Sequence, residues 1–257
     1  MSATAAISAF VSALSLAPCP QLDDADIIGL AYDVDAVKNV LSRQTEGHNM
    51  GVLPRYCEYH RLLDDGARVL YREPDKELIA EKKLFYREQD RRRPEVEQVD
   101  YRFDELRMAK RSGNGWQVSY SGPGQAQQKN KRVGLNEIDI IDAGFDVAIR
   151  EQWERLLAGG RANFSFLSVP HLRPITLTVV KQPVEQCIDT KETRSLVCFW
   201  VEPKSTFLRW LTSPLKLTYD SQSRRLMIFQ GAVNILDKDR KTREAFIVYH
   251  YRDVAGG

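Results

Sequence analysis

After residue 17, no segment of this chain approaches the roughly eighteen consecutive apolar residues that a helical membrane span needs. Metal chemistry is equally hard to place. The four cysteines fit no zinc or iron–sulfur spacing, and no two of His48, His60, His171 and His250 lie two to five residues apart. There is no phosphate-binding Gly-Lys-Ser/Thr loop and no dinucleotide fingerprint after a strand. The Ser-Gly-Pro-Gly of residues 121–124 lacks the pattern of a nucleophile elbow. Cys57 and His60 are three apart on a strand, hence on opposite faces, which counts against a thiolate–imidazole pair. Neither charge sign dominates: 37 basic residues against 35 acidic ones leave a net charge of +2, which gives no nucleic-acid footprint. The basic clusters Arg91-Arg92-Arg93 and Lys129, Lys131, Arg132 read as solvated loops, the first flanked by Glu88, Asp90, Glu95 and Glu97. Asp139, Asp142 and Asp146 read as helix caps and loop carboxylates rather than a cation site. The expectation is a protein with no catalytic residues, no metal and no cofactor.

What is present is pattern. Phe145, Ile149, Trp153 and Leu156 recur at three- and four-residue spacing over residues 145–158, the apolar stripe of one amphipathic helix. Asp142 or Asp146 can cap its start, and Gly159-Gly160 can supply its left-handed stop. A shorter helix is expected at residues 33–41. Elsewhere the chain alternates as strands do, at 55–62, 68–72, 78–86, 99–103, 116–120 and 131–141 before the long helix. The alternation resumes after it at 162–169, 175–179, 196–201, 215–219, 226–229 and 246–251. Turn signals such as Pro74-Asp75-Lys76 and Ser112-Gly113-Asn114-Gly115 separate them. No strand–helix crossover rhythm appears, so the pairing should be antiparallel. The fold expected is mainly antiparallel β (α+β), a strongly curved sheet or half-barrel packed around one central amphipathic helix. Burying Phe145, Ile149 and Trp153 there would contribute on the order of 2 kcal/mol each. The Gly- and Gln-rich stretch 122–128 reads as a loop, which leaves residues 21–257 as a single β-rich domain.

The first twenty residues stand apart. Residues 1–17 carry no charge, and 5–17 form a small, apolar run ending before Pro18-Cys19-Pro20, with the length and composition of a signal-peptide core. No basic residue precedes it, and Pro18 occupies the position where a lipoprotein signal wants a small residue before the cysteine. Export, to the periplasm or otherwise, is the expectation. Cys187 and Cys198 flank the polar loop 189–194. If the segments on either side pair about its centre, a cross-strand disulfide follows in an oxidising compartment, and two buried thiols in a reducing one.

Two stretches, Ile141-Asp142-Ala143-Gly144-Phe145-Asp146 through Trp153 and Leu217-Thr218-Tyr219-Asp220 through Gly231 and Asn234-Ile235, resemble uncharacterised exported proteins of Gram-negative bacteria. That resemblance covers about a quarter of the chain and implies no assigned activity. The order of elements is also similar to the unclosed β-barrel of periplasmic lipoprotein carriers, in which a curved sheet shelters an apolar cavity plugged by helices. One strong central helix here replaces the several shorter ones of that pattern. The resemblance is one of architecture, and it is the signal-like N-terminus, the alternating strands and the absence of a catalytic motif that point to a non-enzymatic periplasmic protein holding a hydrophobic, lipid-like ligand. Phe145, Ile149, Trp153, Phe164 and Phe166 are then the ligand-lining candidates. Two alternatives stand beside it: a structural or interaction component of an envelope complex, and an envelope-acting hydrolase whose residues converge only in three dimensions. The partner is accordingly a hydrophobic small molecule, a lipid or an envelope protein, with no nucleic acid and no membrane-spanning segment.

Overall fold

The computed structural model describes residues 19–20, 22, 24–44, 52–75, 77–125, 127–188, 195–205 and 213–252, the side chains of 41–44 excepted. The signal-like run up to residue 18, His48, the loop 189–194 and Trp210 lie outside the described residues. Among the described residues, fourteen strands make up one antiparallel sheet. The first is β1 (Ile27–Tyr32), followed by helix α1 (Val34–Gln44) and then by β2 (Tyr56–Leu63), β3 (Gly66–Arg72), β4 (Leu78–Phe85) and β5 (Glu95–Asp100). A meander continues through β6 (Glu105–Ser112), β7 (Gly115–Ser121) and β8 (Lys129–Gly134). Helices α2 (Gly144–Glu151) and α3 (Trp153–Leu157) intervene. The second meander is β9 (Arg161–Ser168), β10 (Arg173–Gln182), β11 (Leu196–Pro203), β12 (Leu215–Asp220), β13 (Leu226–Leu236) and β14 (Thr242–Tyr251). β14 pairs with β1, which joins the two meanders into one unclosed sheet with β8 at one end and β9 at the other.

The pairing register sorts side chains onto two faces, because alternate residues of a strand point to opposite sides. Followed strand by strand, one face carries Tyr56, Tyr71, Ala80, Leu84, Val96, Ala109, Val118 and Trp116 on one side of β1. On the other side it carries Ile247, Phe229, Leu217, Phe199, Val201, Val179, Ala162 and Phe164. Helices α2 and α3 pack on this face through Ala148, Ile149, Trp153 and Leu156. Among the described residues, the opposite face is covered near the centre of the sheet. There Val34 and Val37 of α1 meet Leu30, Tyr32, Tyr59, Phe246 and Val248. β1 is consequently buried on both sides, and Asp33 starts α1 by accepting the Asp35 and Ala36 N–H groups at 3.1 and 3.0 Å.

The helical segment is broken where one continuous helix was expected. Gln152, at φ −96° and ψ 12°, separates α2 from α3. Its stop follows the expectation: Gly159 takes φ +84°, its N–H bonds to the Leu156 carbonyl, and the Gly160 N–H reaches that of Arg155, a Schellman closure. Its start does not. Neither Asp142 nor Asp146 caps it, since the residue before the helix is Ala143 and no side chain bonds the first turn. Gly144 is required there, because a Cβ would lie 1.9 Å from the Arg92 carbonyl oxygen.

Two disulfides are formed, Cys187–Cys198 and Cys19–Cys57, each with Cα atoms 5.8 Å apart. The first is the expected pair, reached by a different route. Cys198 lies opposite Gln182 in the β10–β11 ladder, and Cys187 approaches from the 3-10 turn that follows β10. The second fastens the N-terminal segment to β2 and commits the Cys19 sulfur, leaving none for a lipid thioether. Disulfides of this kind persist in oxidising compartments. Among the described residues, no helix is long and apolar enough to cross a membrane.

Candidate functional site

All five ligand-lining candidates fall into one cluster at the α2–α3 end of the helix-covered face. Ile149, Trp153 and Phe164 are buried, while Phe145 and Phe166 are half-buried at its margin. Phe145 meets Phe164 and Phe166 edge-on at 6.4 and 6.5 Å between centroids, and Trp153 meets Phe199 and Tyr219 at 5.4 and 5.6 Å. The half-buried margin continues to Ile175, directly opposite Phe166 across the β9–β10 ladder, and to Leu177. Beyond it a shallow groove of about 410 Å³ is lined by Arg173, Pro174, Ile175, Thr176, Lys204 and Ser205.

On the same face a band of charge separates this cluster from the core of β3–β8. Lys82 donates to Asp142 at 2.8 Å, and Asn234 donates to the other oxygen of Asp142 at 3.2 Å. Arg107 donates to the Asn234 side-chain carbonyl at 2.7 Å and twice to Glu105, which also accepts from the Tyr120 hydroxyl at 3.1 Å. Asp100 is held by Arg102, whose guanidinium also donates to the Leu236 carbonyl at 3.0 Å. Three cations pair with three carboxylates in this band, and Arg243 joins it at the Leu236 carbonyl, to which it donates at 2.8 Å. The β13–β14 register is irregular between Ala232 and Leu236. This bulge is what presents Asn234, whose main-chain carbonyl accepts from Gln98 at 3.1 Å.

A third grouping surrounds Glu58 on the same face. Its carboxylate contacts His60 at 3.1 Å and accepts from the Tyr249 hydroxyl at 3.4 Å. Burial first, and then the charge of Glu58, pushes the phenols of Tyr56, Tyr71 and Tyr249 well above the usual tyrosine range, so all three stay neutral. Among the described residues, no serine, threonine or cysteine is hydrogen-bonded to His60, so this pair has no nucleophile to activate. Beside Tyr219, burial raises the carboxyl of Asp146 above the ordinary aspartate value while Arg150 opposes the rise.

Asp139, Asp142 and Asp146 serve three different partners, the Ser165 N–H, Lys82 and Arg150. Among the described residues, Glu73, Asp75 and Glu77 form the carboxylate triplet close enough to share an ion, and Asp75 already accepts the Glu77 N–H within that turn. Lys82, Asp100, Arg102, Glu105, Arg107 and Asn234 are absent from the sequence-based candidates. The signal available for them was charge at strand positions in phase with apolar neighbours, such as Lys82 between Ala80 and Leu84.

No family model matches this chain, and no curated protein matches it.

Proposed function

We propose that this is an exported, non-enzymatic binding protein whose sheet curls around α2 and α3 and receives a hydrophobic, lipid-like ligand at the margin of the aromatic cluster. The observation that carries this reading is the row of half-buried apolar side chains, Phe145, Phe166, Ile175 and Leu177, leading from the buried cluster to the open groove. An apolar surface beside a concavity is the usual form of such a site. The curl is supported by the hydrogen bonds from Gln98 and Arg107 to Asn234. β5 and β6 lie six and seven places from β13 in the sheet order. Six strand spacings laid flat would span ~29 Å, so contact across them favours a sheet bent back on itself with the helices inside. The two disulfides support an oxidising location, and the periplasm is the compartment proposed.

The test is native mass spectrometry of protein purified without detergent, together with titration by a fluorescent fatty-acid analogue. Phe166→Asp places a charge at the half-buried margin and spares the buried helix contacts. The expected outcome is a co-purifying lipid-sized mass and a loss of probe binding of at least about tenfold in Phe166→Asp, with near-UV circular dichroism unchanged. Equal binding by the folded variant would reject this location for the ligand.

A further inference from the structure

The two ends of the sheet are finished differently. Along β9, the chain covers its own edge: the N–H groups of Asp139 and Ile140 donate to the Ser165 carbonyl, and the Leu167 N–H donates to Ile140. The Asp139 carboxylate takes the Ser165 N–H at 2.8 Å. Along β8, the residues Lys129, Asn130, Lys131 and Arg132 are all exposed, in regular register with β7 and with no bulge or proline.

Which backbone groups face outward follows from the ladder. Leu135 donates to the Asn114 carbonyl, making 114 and 135 a bonded pair. Antiparallel alternation then bonds β7 through residues 129, 131 and 133 and turns the N–H and C=O groups of Asn130 and Arg132 outward. The outward N–H of Gly134, next in that series, is taken by the Glu137 carboxylate at 2.7 Å, which ends the free stretch.

The side chains around that stretch are cations without anions. Elsewhere on the first meander, Arg68 and Lys83 pair with Glu81, Arg87 with Glu95, and Lys110 with Glu97. Among the described residues, no carboxylate reaches Lys129, Lys131 or Arg132, and Arg132 bonds only the Ser112 carbonyl at 3.3 Å. Lysine on an edge strand ordinarily prevents two copies from pairing, since identical edges repel. The same charges admit an edge of opposite sign. We infer that β8 is a docking edge for an extended acidic segment of another protein, which adds as a fifteenth strand. The backbone of Asn130 and Arg132 supplies the hydrogen bonds, and Lys129 and Lys131, which share one face of the strand, select carboxylates at alternate positions of the incoming strand.

The test uses the full oxidised chain and a labelled eight-residue peptide of alternating Glu and Val, read by fluorescence anisotropy. Three controls accompany it: the same peptide N-methylated at every Val, Arg132→Pro, and the double variant Lys129→Glu with Lys131→Glu. Arg132→Pro deletes an outward N–H and leaves the β7 ladder whole, a position that tolerates proline. Saturable binding is expected, weakened by 0.5 M salt and by about tenfold or more in each control, with protection of the 130 and 132 amides from hydrogen exchange. Failure to bind at low salt would overturn the inference. So would equal binding of the N-methylated peptide, which reports charge alone, or a concentration-dependent dimer that the peptide does not dissociate. None of these outcomes bears on the fatty-acid probe, so the two readings stand or fall separately.

Discussion

Removing Lys82 or Asp142 singly should cost more than removing both together. Their side chains are 10% and 13% exposed, and the contact is 2.8 Å. Breaking a buried pair from one side typically costs 3–5 kcal/mol because the remaining charge is stranded. The residual exposure here places Lys82→Met and Asp142→Asn at the low end, about 3 kcal/mol each. For a chain of this size that corresponds to a fall in Tm of roughly 6–12 °C. The double variant removes both charges and keeps an amide beside Asn234, so it should lose about 2 kcal/mol, against the ~6 kcal/mol that additivity would demand. Urea unfolding followed by tryptophan fluorescence, with the disulfides intact and the m-value unchanged, measures all three. Additive losses, or single losses under about 1 kcal/mol, would show that the pair is solvated and that neither charge is stranded when its partner is removed.

Alkylation of the native protein should modify no cysteine before reduction and all four afterward, since none is free. Loop entropy assigns about 4 kcal/mol to Cys19–Cys57, which spans 38 positions, and about 3 kcal/mol to Cys187–Cys198, which spans 11, so Cys57→Ser should lower the urea midpoint more than Cys198→Ser. Asp146 has a folded-state carboxyl raised by burial, so the folded chain holds its proton more tightly and stability falls as pH rises above the ordinary aspartate value of 3.8. Asp146→Asn should therefore gain on the wild type between pH 3 and pH 7 in thermal melts, and a constant difference would contradict the assignment. Gly144→Ala should destabilise by more than about 2 kcal/mol, because a Cβ 1.9 Å from the Arg92 carbonyl forces backbone to move; an unchanged urea midpoint would refute this requirement for glycine.

The helix stripe and most of the hairpins were legible because their faces differ in polarity. β1 and β6 were not, for opposite reasons. In β1, α1 and the N-terminal segment cover the outer face, so Leu30 and Tyr32 are as buried as Ala31 and no alternation survives. In β6 the alternation is inverted: Glu105 and Arg107 point to the buried face, and Leu106 and Met108 point away from it. A period-two reading of hydrophobicity rejects such a strand, although its geometry is regular. The five aromatic and aliphatic candidates were found together because they lie on adjacent turns and paired strands. The ionic band leaves no local signal of its assembly in the sequence because its members come from β4, β5, the turn after β5, β6, β13 and the segment before α2, and only the tertiary fold assembles them. Cys19–Cys57 was illegible for a related reason, since a separation of 38 positions leaves no local constraint to read.

Position 142 shows how the competition between local and tertiary demands is settled. An aspartate just before an apolar stripe is an expected helix cap, and capping the first turn of α2 would contribute about 1 kcal/mol. Here Asp142 adopts φ +45°, a left-handed conformation that aspartate tolerates better than most residues. That backbone turn aims one carboxylate oxygen at Lys82 and the other at Asn234, and only the adjacent Ala143 N–H is served locally, at 2.8 Å. The tertiary contacts are worth more than the cap, because leaving Lys82 buried without an anion would cost about 3 kcal/mol. The helix start therefore goes without a side-chain cap, and α2 is held by packing of Ala148 and Ile149 in its second turn and by the close approach of Gly144 to Arg92. The loss of an expected local feature at Asp142 thus marks a place where the two meanders are tied together through side chains, beyond the β1–β14 ladder.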